Sequence, residues 1–211
     1  MLFGNVIADY RRLMACLTGR RFVRALRALA EPSLHIMLTY RYGRLVTRMW
    51  PPFRWILLVP YWVAELVIRV VYNISISRRA EIGPGFVILH PSATVIFPGV
   101  KIGANVTIGN QVVICPARVG DTRVATIEND VMIGAGAKIL GAVRVNHHSV
   151  IGANAVVVSD VPVGAVVGGV PGKVVKIAAG RRERRNFRFR RPRRESNVRI
   201  CEDRREGVIH V

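Results

Sequence analysis

A mainly-β solenoid of six-residue rungs, with an N-terminal α-helical region and a basic C-terminal tail, is the architecture this 211-residue sequence predicts. Isoleucine or valine returns at every sixth position through Ile127, Ile133, Ile139, Val145, Ile151 and Val157, and upstream through Ile96, Ile102, Ile108 and Ile114. The position four after each anchor is also small or apolar, as at Val100, Val106, Val112, Val131, Ala137, Val143, Ser149, Ala155 and Val161. Glycine follows the anchor at Gly103, Gly109, Gly134 and Gly152, where a tight corner favours a residue without a β-carbon. An amphipathic helix repeats near 3.6 and a half-buried strand at 2, so a strict six requires a chain that makes the same short turn repeatedly.

Taken in order, residues 1–73 form the first region, and 9–73 read as two or three helices with Pro32, Pro51, Pro52 and Pro60 as breaks. The run Trp55 to Ala64 is uncharged but only about half the roughly 20 residues a membrane span requires. The expectation is therefore a helix packed on the solenoid or on a neighbouring subunit. The competing reading is a peripheral membrane contact with Trp50, Trp55 and Trp62 at the headgroup level. Residues 74–180 are the solenoid. At its entry Ile82 and Ile88 share one phase, and Ile96 restarts in a phase shifted by two around Pro91 and Pro98, which predicts a bulge in the wall. The stretch from Pro116 to Thr126 has no repeat and reads as a projecting loop. Residues 181–211 contain RRERRNFRFRRPRRE, a composition expected to be disordered when free.

Net charge is +19, and the two ends carry most of it: +8 in 1–73 and +7 in 181–211, against +4 in the solenoid. An anionic membrane or polyanion would meet the ends rather than the wall. Phe187 and Phe189 interleave with arginine in the tail, but without a folded reader they do not argue for dedicated nucleic-acid binding. Three cysteines without pairing or metal spacing fit a reducing compartment, and the N-terminus lacks the marks of a secretory signal. The expected location is the cytoplasm, including the inner membrane surface. Adjacent His147 and His148 read most simply as surface residues on a corner, and no supporting cluster suggests a metal. His90 differs because it falls at the phase shift, within GPGFVILHPSATVIFPG.

The stretch from Ile82 to Lys176 resembles the serine O-acetyltransferase family of hexapeptide acyltransferases, including its short relatives from polysaccharide gene clusters. The resembling segments are AEIGPGFVILH, KIGANVTIG, TIENDVMIGAGAKILGAV and VIGANAVVVSDVPVGAVVGGVPGKVVK, with TYRYGRLV ahead of the solenoid. The resemblance implies a left-handed parallel β-helix, a homotrimer, and acetyl-CoA lying in the groove between subunits. It places His90 on the catalytic histidine, a role suited to an imidazole whose ordinary pKa is about 6.5. It also places Ala135 and Ala153 along the CoA pantetheine arm, Lys173 near the CoA nucleotide, and Arg123 on a loop arginine that holds an acceptor carboxylate. Three positions depart from the family: Ser75 stands where an aspartate orients the imidazole, Val124 where a histidine follows the loop arginine, and Cys115-Pro116 where the family has two glycines. They shift the expected acceptor from L-serine, kept as the alternative, to a hydroxyl of another small molecule, a sugar or a glycan. A non-catalytic scaffold with membrane- or polyanion-binding ends is the reading from another class.

Overall fold

The computed structural model describes residues 2–18 and 20–177, so the expectations placed on 181–211 lie outside the described residues. Three walls of short parallel strands wind around one axis. The first wall stacks β1 (Ser75–Ile76), β4 (Val95–Ile96), β7 (Val113–Cys115), β10 (Lys138–Leu140) and β13 (Val156–Val157). The second stacks β2 (Glu81–Ile82), β5 (Lys101–Ile102), β8 (Thr126–Ile127) and β11 (Arg144–Val145). The third stacks β3 (Val87–Ile88), β6 (Thr107–Ile108), β9 (Met132–Ile133), β12 (Val150–Ile151) and β14 (Ala165–Gly168), and adds β15 (Lys173–Ile177) antiparallel at its end.

The six-residue anchors are the inward members of these strands, and Ile96, Ile108, Ile114, Ile127, Ile133, Ile139 and Ile151 are all buried. The second lattice is buried with them, from Val100 to Val161. Each fully buried isoleucine contributes roughly 1.5–3 kcal/mol relative to exposure, and β-branched side chains suit a stacked, extended wall. Ser149 is the polar member of the column, and its hydroxyl donates to the Asn146 and Pro162 carbonyls.

Strand register measures each turn. Val95 pairs with Val113 and Lys138 with Val156, an eighteen-residue period of three rungs. Ser75 pairs with Val95, two residues longer, and Val113 with Lys138, seven longer. The two extra residues form the expected bulge between β3 and β4. The seven form the expected loop between β7 and β8.

Four helices precede the coils: α1 (Leu2–Cys16), α2 (Arg21–Ala30), α3 (Pro32–Val46) and α4 (Pro51–Tyr72). The expected two or three helices starting near residue 9 are thus corrected to four starting at Leu2. Pro32 and Pro51 open helices, where a missing N–H costs nothing, but Pro60 sits inside α4 without ending it. Gly43 lets α3 meet α4 closely, since a β-carbon there would lie 2.4 Å from the Tyr61 ring. Burial pushes the Tyr61 hydroxyl up to about 12, and Glu65 beside it adds to the shift.

The helices also finish the open end of the solenoid. A first coil has no preceding coil to receive its backbone groups, and unpaired edges of this kind are costly when buried. Tyr40 supplies its hydroxyl to the Ala80 carbonyl at 2.7 Å and accepts from the Ile82 N–H at 3.1 Å. Arg41 donates to the Ile82 carbonyl at 2.6 Å and the Gly83 carbonyl at 2.5 Å. Asp9 accepts from the Phe86 N–H at 3.0 Å, and Ser33 from the Ile88 N–H at 3.3 Å. Arg41 and Asp9 are themselves paired at 3.1 Å, both nearly inaccessible.

Candidate active-site edge

The corner joining the third wall to the first carries most of the residues singled out above. On successive coils it reads Leu89-His90, Gly109-Asn110, Gly134-Ala135, Gly152-Ala153 and Gly168-Gly169. Backbone N–H groups of Leu89, Gly109, Gly134 and Gly152 donate to Ile108, Ile133, Ile151 and Val167 carbonyls at 2.7–2.8 Å, so the five levels are in register. At about 4.8 Å per coil, His90 and Gly168 stand about 19 Å apart along this edge.

The edge is low because its glycines have no room for side chains. A β-carbon on Gly109 would lie 2.6 Å from the Ala135 N, and one on Gly134 2.5 Å from the Ala153 N. Neither glycine has a positive φ; the left-handed positions follow two residues later, at Gln111, Gly136 and Asn154. The reason for glycine here is therefore close approach between coils, which is why the corner favours a residue without a β-carbon. Lys138 stiffens the same corner by donating to the Gln111 and Gly136 carbonyls at 2.9 and 2.8 Å.

His90 sits in the two-residue bulge with φ 52°, followed by Ala93 at φ 44°. The bulge carries the imidazole outward, and it is exposed on the single chain. Among the described residues no carboxylate pairs with the ring. Ser75 holds the position expected of an orienting aspartate, on β1 beside Val95. Ala135 and Ala153 are both exposed on the edge, two coils and one coil respectively from its far end at Gly168. Lys173 opens β15 directly after the turn that crowns the edge, where the Gly172 N–H donates to the Val156 carbonyl at 2.7 Å.

Arg123 is not on this edge. It lies in the loop between the first and second walls, 77% exposed, and its guanidinium chelates Asp121 at 3.0–3.3 Å while its N–H donates to the same carboxylate at 2.9 Å. That bonding holds the Asp121 carboxyl below its ordinary value. Val124 packs against the core beside buried Ala125, so the loop returns through an apolar anchor. His147 and His148 occupy the other corner, as read from sequence. His147 meets Glu128 at 2.9 Å, and with Arg144 it draws the Glu128 carboxyl down to about 2. Among the described residues no group of three metal-ligating side chains occurs.

Sequence reasoning missed the side chains that seal the first coil. TYRYGRLV was singled out, but only the structure shows that its Tyr40 and Arg41 serve backbone groups more than forty positions away. Asp9, the partner of Arg41, carried no local signal.

Residues 125–159 match the family model described as bacterial transferase hexapeptide (six repeats). A serine acetyltransferase of Mycobacterium tuberculosis is 43% identical over 108 residues, 51% of this chain and 47% of that protein. One from Helicobacter pylori is 34% identical over 148 residues, 70% of this chain and 83% of that one. The chain thus spans about half the length of the first relative and most of the second. A solved serine acetyltransferase in complex with CoA superposes with a TM-score of 0.67 at 26% identity, covering 82% of this chain and 69% of its own. The likeness gives the three-walled prism its left hand, an exception to the right-handed crossover between parallel strands.

Proposed function

The chain belongs to the serine acetyltransferase family, and from that membership we propose that it is an acetyl-CoA-dependent O-acetyltransferase with His90 as general base. The observation that carries this reading is the single edge that aligns His90, Ala135, Ala153 and the turn leading to Lys173. A thioester at the His90 level could run its pantetheine arm past the two alanines toward the Lys173 ammonium, which would meet phosphate. The low glycine floor lets such an arm approach backbone.

The chemistry is a proton shuttle around one acyl transfer. A ring nitrogen of neutral His90 accepts the acceptor's hydroxyl proton as that oxygen bonds to the thioester carbonyl carbon. Collapse of the tetrahedral adduct breaks the carbon–sulfur bond, and the imidazolium returns the proton to the leaving thiolate. The products are an acetyl ester and free CoA thiol. An adjacent copy in a trimer would wall the open side of the edge and could bring its own loop toward His90.

The names of the relatives support L-serine as the acceptor. A specific observation favours a second reading, a sugar or other small-molecule hydroxyl. Arg123, the residue expected to hold serine's carboxylate, is already chelated by Asp121 within its loop. Thiol release from acetyl-CoA, measured with L-serine and with a panel of sugars, decides between them. His90→Ala is expected to lower turnover with the productive acceptor by about 10²–10⁴-fold at unchanged melting temperature. Unchanged turnover would remove His90 from the mechanism.

A further inference from the structure

The helix α4 presents an outward face that no element among the described residues covers. Its inward stripe is anchored: Tyr61 and Ile68 are buried, and the Leu57 carbonyl accepts the Tyr42 hydroxyl at 2.9 Å. The opposite side runs Trp55, Ile56, Val59, Trp62, Val63, Leu66 and on to Val71, with Trp55 66% and Trp62 60% exposed. A helix apolar on both sides is normally buried in protein or lipid. The sequence-based view of a short apolar run is corrected here, because Phe53–Tyr72 is one continuous helical stretch with mean hydropathy 1.6, long and apolar enough by those measures to cross a membrane.

Beside this face lies a cavity of about 900 Å³ lined by Arg44, Arg54, Arg78 and Arg79 together with Trp55 and Trp62. Among the described residues no acidic side chain lines it. Arg78 stacks 5.6 Å from the Tyr61 ring, and its buried Nη1 has no hydrogen-bond partner among the described residues. Glu65 stands further along the helix and is bonded to Arg69 at 2.8 Å. Four guanidinium groups at the rim of an apolar, tryptophan-bearing surface match phosphates above acyl chains.

We propose that α4 docks the protein on an anionic phospholipid bilayer, lying in the plane of the interface with lipid phosphates in the arginine cavity. A second copy fits the face less well, since a two-fold contact would set this cationic, acid-poor patch against itself. A membrane-crossing α4 would have to strip its inward stripe from α3 and the first coil, and it passes directly into β1 through Asn73. Lying flat keeps those contacts and wets only the outer face.

All three tryptophans of the chain, Trp50, Trp55 and Trp62, are on or next to α4, so their emission reports on this surface alone. The full chain is titrated with phosphatidylcholine vesicles containing phosphatidylglycerol and acyl-brominated lipid. Docking predicts a blue shift and bromine quenching, absent with pure phosphatidylcholine and not competed by soluble glycerophosphate. Arg54→Gln with Arg79→Gln is expected to weaken binding roughly thirtyfold, and Val63→Glu to abolish quenching, each at unchanged melting temperature. Vesicle co-sedimentation without quenching would assign binding to another part of the chain and overturn the proposal. A blue shift that appears without vesicles as protein concentration rises, with a matching rise in mass, would overturn it in favour of a second copy.

Discussion

Gly134 shows how one missing methyl group shapes the candidate site. Its β-carbon position is filled by the Ala153 N of the next coil, so any side chain forces the coils apart. Gly134→Ala is expected to destabilise the fold by about 1–3 kcal/mol, as overpacking does, read as a lower thermal midpoint. Ala153 faces the other way, outward from the same edge. Ala153→Phe is expected to leave the thermal midpoint within a degree or two but to raise the KM for acetyl-CoA, because the ring occupies the floor on which the pantetheine arm is proposed to lie. An unchanged KM would move the donor off this edge. The glycines were visible in the sequence; their reason was not, since close approach belongs to stacked coils and leaves no mark within one hexapeptide. Arg123 shows the reverse limit: the loop was legible from its broken period, but its chelation by Asp121 depends on how that loop closes.

At the scale of elements, the bulge and the loop were legible because each interrupts a strict period, and the register returns the same two- and seven-residue excesses. The sealing of the first coil was not, because Asp9, Ser33, Tyr40 and Arg41 serve backbone groups, which no sequence period records. Burial pushes the Asp9 carboxyl up, partly offset by Arg41 and by the Phe86 and Gly85 N–H groups. Removing it strands the Arg41 charge and the Phe86 N–H together. Asp9→Ala is expected to cost about 3–5 kcal/mol in chemical denaturation, and Asp9→Ala with Arg41→Met markedly less than the sum of the two single changes. The ladder of Glu128, Arg144 and His147 gives a pH dependence of known sign. Its folded carboxyl titrates near 2, below the ordinary value of 4.5, so its stabilisation is complete above 4.5 and is lost as pH falls toward 2. Glu128→Gln should lower the melting temperature at neutral pH and flatten the acid limb of the profile, so that the two proteins converge as pH falls toward 2.

For the whole molecule, a stack of coils derives stability from nearest neighbours, so an insertion in one turn is tolerated as long as the strands on either side keep register. The third turn does this: Val113 still pairs with Lys138 and Lys101 with Thr126 although seven extra residues leave the wall between them. The same modularity explains why the prism could be read from sequence while its chemistry rested on resemblance, since every rung repeats the wall but only one bears His90. It also separates folding from function experimentally. Deleting residues 117–123 restores an eighteen-residue turn, keeps Val124 and Ala125 on their apolar anchor, and shortens a loop whose closure entropy changes only slowly with length. The shortened chain is expected to melt within a few degrees of the full one and to gain stability with acetyl-CoA as the full chain does, by about 2.7 kcal/mol at one hundred times Kd. Acceptor-dependent thiol release should fall steeply, because the donor edge is intact and the loop that bears Arg123 is gone. If turnover with the productive acceptor survives the deletion, acceptor binding lies elsewhere on the prism and Arg123 has no part in it.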